Sequence, residues 1–179
     1  MMPHHPAPKS GSAPSGKGRR DSLPRLGWRE WVSLPDLDIP WIRAKVDTGA
    51  QTSTLHATVL RRETSGDATM IRFQLRAPNG VDLVCTAPLV DERMVRSSNG
   101  QEQLRPVIVT TLEIQGESWP VEMTLARRDR MGFSLLLGRQ AVRNRFQVDP
   151  GRSYLTGKPA SLDLHHPGPA GQSPHEEKA

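Results

Sequence analysis

The 179-residue chain carries a formal net charge of +5, with 35% hydrophobic residues, 4% aromatic residues and a single cysteine, Cys85. One ordinary domain flanked by polar tails fits that length and composition, and a lone cysteine excludes both an intramolecular disulfide and a cysteine-based zinc site. No apolar run is long enough for a signal-peptide core or a bilayer crossing, so a cytoplasmic protein with no membrane partner is expected. Scattered basic charge with so few aromatics argues against a nucleic-acid stacking platform.

Residues 1–24 are rich in Pro, Ser and Gly, carry Lys9, Lys17, Arg19 and Arg20, and offer little to bury, so a disordered basic tail is expected there. Residues 25–157 form the expected folded domain, and residues 158–179 repeat the polar composition of a disordered tail. Within the domain, residues 28–34 alternate as a strand, Pro35-Asp36-Leu37-Asp38 supply a turn, and the apolar run resumes at Ile39 to form a hairpin. Its second arm ends in Val46 and Asp47, after which Thr48-Gly49-Ala50 must bend. Residues 52–57 leave that corner extended.

Ile71, Phe73 and Leu75 alternate with Arg72, Gln74 and Arg76, and Pro78-Asn79-Gly80 turn this strand into Val81, Leu83 and Cys85. Cys85 reads as a small buried hydrophobe. A third hairpin runs from Val90 to Arg96, turns at Ser97-Ser98-Asn99-Gly100 and returns through residues 101–106. Its polar arms have little to bury, which suits a mobile flap. Two core strands follow over residues 107–114 and 119–125, the second with Trp119, Val121, Met123 and Leu125 on one face. Residues 133–138 fit a strand buried on both faces. The period then changes over residues 139–146, where Val142 and Phe146 share one side of a short helix, and Ser153, Tyr154 and Leu155 read as a last strand. The sum is an all-β domain, a small closed or nearly closed barrel with one short C-terminal helix.

Alone, an Asp-Thr-Gly triplet is also the signature of an ordinary Asx turn. Its context is more specific: the triplet ends an apolar strand, and a second apolar strand ends late in the chain at Leu136-Leu137-Gly138-Arg139. This combination resembles the retropepsin-like aspartic peptidases, and most nearly the bacterial RimB type, also labelled ATP-dependent zinc proteases or RimK/LysX family proteins and found beside glutamate ligases that modify ribosomal protein. Gly27 through Val32, Ala44 through Ala50, Thr52-Ser53, Leu55-His56-Ala57, Val95 through Gly100 and Val148 through Leu155 carry the same resemblance. It implies a retropepsin-like barrel with Asp47 catalytic and with Thr48, Gly49 and Ala50 supporting the active-site loop. Leu137, Gly138 and Arg139 would pack behind that loop, and Ser97, Ser98, Asn99 and Gly100 would form the flap.

Aspartic peptide hydrolysis needs two carboxylates sharing a proton, one as general base and one as acid. The chain encodes one such motif, since Asp67, Asp91, Asp129, Asp149 and Asp163 each lack a following Thr-Gly or Ser-Gly. A homodimer is therefore required, with the second Asp47 supplied across a two-fold axis, and the substrate is a peptide or protein. Gln51 departs from the viral pattern, which has an acid at that position, so Arg139 needs another acceptor such as a backbone carbonyl.

No metal or cofactor is expected. His56 is the only histidine within residues 25–157, and neither a His-Glu-x-x-His helix nor a Walker-type loop is present. The rival reading is a non-catalytic module with the peptidase fold that recognises acidic tails or serves a ribosomal-protein glutamate ligase system. Zinc-dependent proteolysis is less favoured than either, and a nucleic-acid role through the basic N-terminal tail is the third reading, after the peptidase and the module. Because Ala50 stands where some aspartic peptidases carry a stabilising hydroxyl, activity should peak nearer neutral pH than in acid-compartment enzymes. A pH-rate profile with its maximum below about 4 would contradict this.

Overall fold

Apolar residues recurring at every second position decide most of the chain's course, because each strand can then bury one face and leave the other to solvent. In a computed structural model, which describes residues 23–77, 80–96, 100–127 and 132–157, this produces eleven strands and one short α-helix. The strands are β1 (Arg25–Gly27), β2 (Arg29–Leu34), β3 (Ile39–Asp47), β4 (Ser53–His56), β5 (Thr58–Ser65), β6 (Ala68–Arg76), β7 (Asp82–Arg96), β8 (Glu102–Ile114), β9 (Glu117–Ala126), β10 (Leu135–Gly138) and β11 (Gln147–Asp149). The helix, α1, spans Arg139–Val142.

Nine strands form one sheet in the order β2-β3-β10-β4-β9-β8-β7-β6-β5. A bridge between Ser33 and Glu113 joins β2 to β8 and nearly closes a ring, beyond which β7, β6 and β5 continue as an extension. The fold is therefore the expected all-β, nearly closed barrel. Ile42 and Ala44 of β3, Leu112 and Ile114 of β8, Met123 of β9 and Leu135 and Leu137 of β10 fill the interior. Ile71, Phe73 and Leu75 of β6 belong to the same core, so the extension folds back as a cover. Cys85 lies under that cover, its thiol donating to the Leu37 carbonyl, and burial followed by the nearby Asp38 charge raises its pKa. It behaves as a packed side chain.

Several elements differ from the sequence-based expectations. β5 was not anticipated, because Thr58 through Thr64 are exposed and show no alternation of burial; pairing with β6 makes it a strand. β7 is a single strand of 15 residues where two separate segments were expected. The Pro35–Leu37 turn is a 3-10 helix. The helix stops at Val142, with Asn144 in the left-handed region at φ 64°, although Val142 and Phe146 are both buried as expected.

Residues 153–155 are not a strand. The last strand is β11, which pairs in parallel with β1 in a separate two-stranded sheet. Beyond it, Tyr154 takes a left-handed backbone at φ 55°, and the chain is held by two isolated backbone bonds, from the Trp28 amide to the Arg152 carbonyl and from the Tyr154 amide to the Arg29 carbonyl, together with a buried side chain. Glu30, fully buried in β2, accepts four hydrogen bonds: from the Gly27, Leu155 and Thr156 amides and from the Thr156 hydroxyl. Around this clasp, Tyr154 stacks on Trp31, and the Arg29 guanidinium lies between the Trp28 and Tyr154 rings.

A buried acceptor with this many donors is sensitive to one misplaced proton. Glu30→Gln turns an acceptor into a donor facing N–H groups, and should lower unfolding free energy by about 2–3 kcal/mol, measured by urea denaturation against the wild type.

Candidate functional site

Strand order creates the site. β10 lies between β3 and β4, parallel to β3 and antiparallel to β4, with Gly138 level with Asp47. Because the chain leaves β3 on one side of β10 and enters β4 on the other, residues 48–52 must cross over the end of β10. The crossing is close. A Cβ on Gly138 would lie 2.6 Å from the Thr52 carbonyl carbon and 2.7 Å from the Gln51 oxygen, so only hydrogen fits.

The crossing loop is tied down from below. The Gly138 amide donates to Ser53 Oγ at 3.2 Å, the Arg139 amide to the Ala50 carbonyl at 2.9 Å and the Gln140 amide to the Gln51 carbonyl at 3.2 Å. The first amides of α1 thus satisfy the loop, and the loop satisfies them. Arg139 adds a side-chain bond from Nη1 to the Gly49 carbonyl at 3.0 Å. A backbone carbonyl therefore stands in for the missing acid at Gln51. Beneath, the hydroxyls of Thr54 and Thr124 lie 3.0 Å apart, and both residues are buried.

Held this way, the Asp47 side chain turns back on its own loop. Oδ1 accepts from the Gly49 amide at 3.0 Å and the Ala50 amide at 3.2 Å. Both bonds use Oδ1, which leaves Oδ2 for a water or another carboxyl group. Asp47 is half-buried at the edge of a cleft of about 810 Å³, with Thr48 and Gly49 exposed beside it. Leu137 is fully buried behind the loop. The structure thus brings together Asp47, Thr48, Gly49, Ala50, Leu137, Gly138 and Arg139.

Of the expected flap residues, Ser97, Ser98 and Asn99 lie outside the described residues, while Gly100 opens the return arm with φ 82°. Both arms are present as the distal β7–β8 ladder, which runs from Asp91 opposite Val107 to Arg96 opposite Glu102. This hairpin supplies residues that sequence reasoning missed: Arg93, Arg96 and Arg105 line the cleft with Asp47, Thr54 and Leu136. The polar arms were visible in the sequence, but which of their side chains face Asp47 depends on register.

The arginines are not equivalent. Arg93 donates to Glu122 and to Asp91, each at 2.6 Å; these bonds, led by Glu122, hold its pKa well above the usual guanidinium value. The Arg93 bond, helped by the Glu92 amide, holds the Asp91 carboxyl below its ordinary value. Arg96 pairs with Glu102 at 3.0 Å on the open surface. Arg105 is only 6% exposed, its Nε–H given to Gln103 Oε1 at 3.2 Å.

His56 lies elsewhere, in a separate recess with Arg76, Asp82 and Arg127. Among the described residues no group of three or more His, Cys, Asp or Glu side chains could hold a metal ion. Nor is any described helix long and apolar enough to cross a membrane.

A nearly closed barrel with one Asp-Thr-Gly loop crossing a central glycine is the unit of the retropepsin-like class. The chain belongs to the RimB-like family: the family model, described as the retropepsin-like aspartic endopeptidase RimB, matches residues 25–159. It is 37% identical over 142 residues to a protein of Shewanella pealeana and 41% identical over 135 residues to one of Parasynechococcus marenigrum, both named probable alpha-L-glutamate ligase. These matches cover 78% and 74% of this chain but 31% and 29% of the relatives, so the chain corresponds to about a third of their length. A crystal structure of the Legionella pneumophila protein Lpg0085, of unknown function, superposes with a TM-score of 0.64 at 26% identity, over 75% of this chain and 99% of that one.

The crossing over β10 yields a direct test. Gly138→Ala forces the Gln51 and Thr52 backbone to move, and should cost about 1–3 kcal/mol of stability in chemical denaturation, with added protease sensitivity in residues 48–52.

Proposed function

We propose that the chain is one half of an aspartic endopeptidase whose dyad consists of Asp47 from each of two copies. The observation that carries this reading is the geometry of Asp47: a carboxyl group braced through Oδ1 at the mouth of an open cleft, its Oδ2 left for chemistry. Exposed Thr48 and Gly49 allow a second loop to approach about a two-fold axis.

In the dimer, the ionised Asp47 takes a proton from a water held between the two carboxyl groups. The protonated one donates to the scissile carbonyl oxygen as the water oxygen bonds to its carbon. Collapse of the tetrahedral diol expels the amine, which receives its proton from the dyad. The β7–β8 hairpin covers the cleft and excludes bulk water. Among the described residues that line the cleft, three arginines against one acid, Asp47, support a substrate with carboxylate side chains, although Arg93 and Arg96 also pair with acids outside the lining. Relatives named for glutamate ligation supply the matching chemistry, and glutamate-bearing peptide is the proposed substrate.

The same relatives support a second reading, a non-catalytic module in a ligase system that binds such peptides without cleaving them. Asp47→Asn separates the two. Under the peptidase reading, wild type cleaves a glutamate-rich peptide library, the variant loses roughly 10²–10⁴-fold or more in rate, and both sediment as dimers. No cleavage by either protein, with equal binding by both, supports the module; cleavage by a monomer overturns the shared dyad.

A further inference from the structure

Half-exposed tryptophans gathered on the outside of a barrel need a reason that the core does not supply. We propose that the outer face of β2 and β3 binds single-stranded nucleic acid, with bases stacked on Trp41 and Trp31 and phosphates held by Arg43 and Lys45. This inference stands apart from the peptidase reading.

Alternate residues of the two strands point inward, and Glu30, Val32, Ile42, Ala44 and Val46 are buried there. The residues between them share the opposite side: Arg29 and Trp31 on β2, and Trp41, Arg43 and Lys45 on β3. Register sets Arg29 opposite Lys45 and Trp31 opposite Arg43. Trp41 is then diagonal to Trp31, and their rings meet edge to face with centroids 5.2 Å apart. Trp31 stacks in turn on Tyr154. The sequence-based argument against a stacking platform rested on the total of aromatic residues. The fold concentrates them: three of the four tryptophans and the single tyrosine, Trp28, Trp31, Trp41 and Tyr154, gather at this face.

Part of the cluster is scaffold. Arg29 lies between Trp28 and Tyr154 and donates from Nε to Ser153 Oγ, so these groups fasten the segment after β11. Trp41, Arg43 and Lys45 take no part in that clasp. Trp41 ends the run, half-exposed and touching one other ring among the described residues. Arg43 and Lys45 are exposed, and neither makes a hydrogen bond or ion pair with another described residue. Glu113, opposite Ser33, and Asp47, the next residue after Lys45 on this side, bound the face at its two ends. Between them every charged outward residue of β2 and β3 is a cation.

The occupant follows from the pairing of cations with rings. Exposed cations by themselves suit any anion, and an acidic peptide would satisfy them while leaving the indoles to water. A single-stranded nucleic acid brings both partners in every nucleotide, a phosphate for the cations and a flat base for the rings. Arg43 and Lys45 are two residues apart on one strand, about 6–7 Å, so a backbone lying over them keeps successive bases within reach of Trp41 and Trp31. A duplex holds its bases inside and gains only the charge.

Fluorescence anisotropy of the full chain with a labelled oligouridylate of about 12 nucleotides, within the span of ordinary single-strand sites, tests the face. Binding is expected at low salt. Trp41→Leu keeps an apolar side chain without the ring and should weaken binding about tenfold, and Trp41→Phe should keep most of the affinity. Arg43→Gln combined with Lys45→Gln should weaken binding and make the slope of log affinity against log salt shallower by about 1.4, the share of two phosphates on a single strand. Thermal melts establish that each variant is folded. The Arg43 and Lys45 changes, on exposed side chains, carry the test by themselves should Trp41→Leu fail to fold.

Oligothymidylate run alongside shows which sugar is preferred, and binding of either nucleic acid through Trp41 upholds the proposal. The basic N-terminal tail is the competing site. Binding that survives both face variants and is lost with Lys17→Gln, Arg19→Gln and Arg20→Gln overturns the proposal, as does an absence of binding at low salt. An oligoglutamate peptide that binds as tightly, with Trp41→Leu changing nothing, marks a plain anion site and overturns it too.

Discussion

A parallel strand inserted between two consecutive strands is the constraint on which the rest of this molecule depends. With β10 between β3 and β4, the short connection from Asp47 to Ser53 has one route, over the end of the inserted strand. That route holds the backbone of residues 51–52 against Gly138, engages the first amides of α1 and places the Arg139 side chain on the Gly49 carbonyl. The position of the Asp47 carboxyl follows from this packing. Its loop is short of hydrophobic contacts and exposed at Thr48 and Gly49, so hydrogen bonds from a buried neighbour supply the rigidity that side-chain packing would give elsewhere.

The long β7–β8 hairpin obeys a different balance. Near the barrel its strands bury Ile108 and Leu112; beyond Val107 they carry arginines, Glu92 and Glu102, together with the exposed Met94 and Leu104. An element with so few apolar contacts at its outer end relies on ion pairs, and exposed ion pairs hold weakly. The cleft floor, Thr54, Thr124 and Leu136, lies instead in the packed sheet. The far end of the molecule is secured by the opposite device, a buried carboxylate: Glu30 gathers the chain near both ends of the described domain.

Much of this was legible in the sequence, and the limits have identifiable causes. Alternation located β2, β3, β6, β9 and the hairpin arms because each buries a single face. β5 escaped because none of its first seven residues is buried, and the continuity of β7 escaped because Pro88 and a switch to polar residues look like an interruption. Ser153, Tyr154 and Leu155 have the composition of a strand, yet among the described residues they form no ladder; a single backbone bond from the Tyr154 amide to the Arg29 carbonyl and the acceptors on Glu30, more than 120 positions away, shape them instead.

By itself, the sequence determined that an acid ends an apolar strand, that the motif occurs once, and that an apolar Leu-Leu-Gly-Arg segment is available to support it. These are local properties, set by side-chain period and by what glycine permits. Only the tertiary structure decided that Gly138 lies beneath the Asp47 loop, that Arg139 takes a carbonyl, and that Arg105 faces the same cleft as Asp47. Strand order and register decide such contacts, and both come from burying the whole set of strands together, which no single stretch of sequence contains.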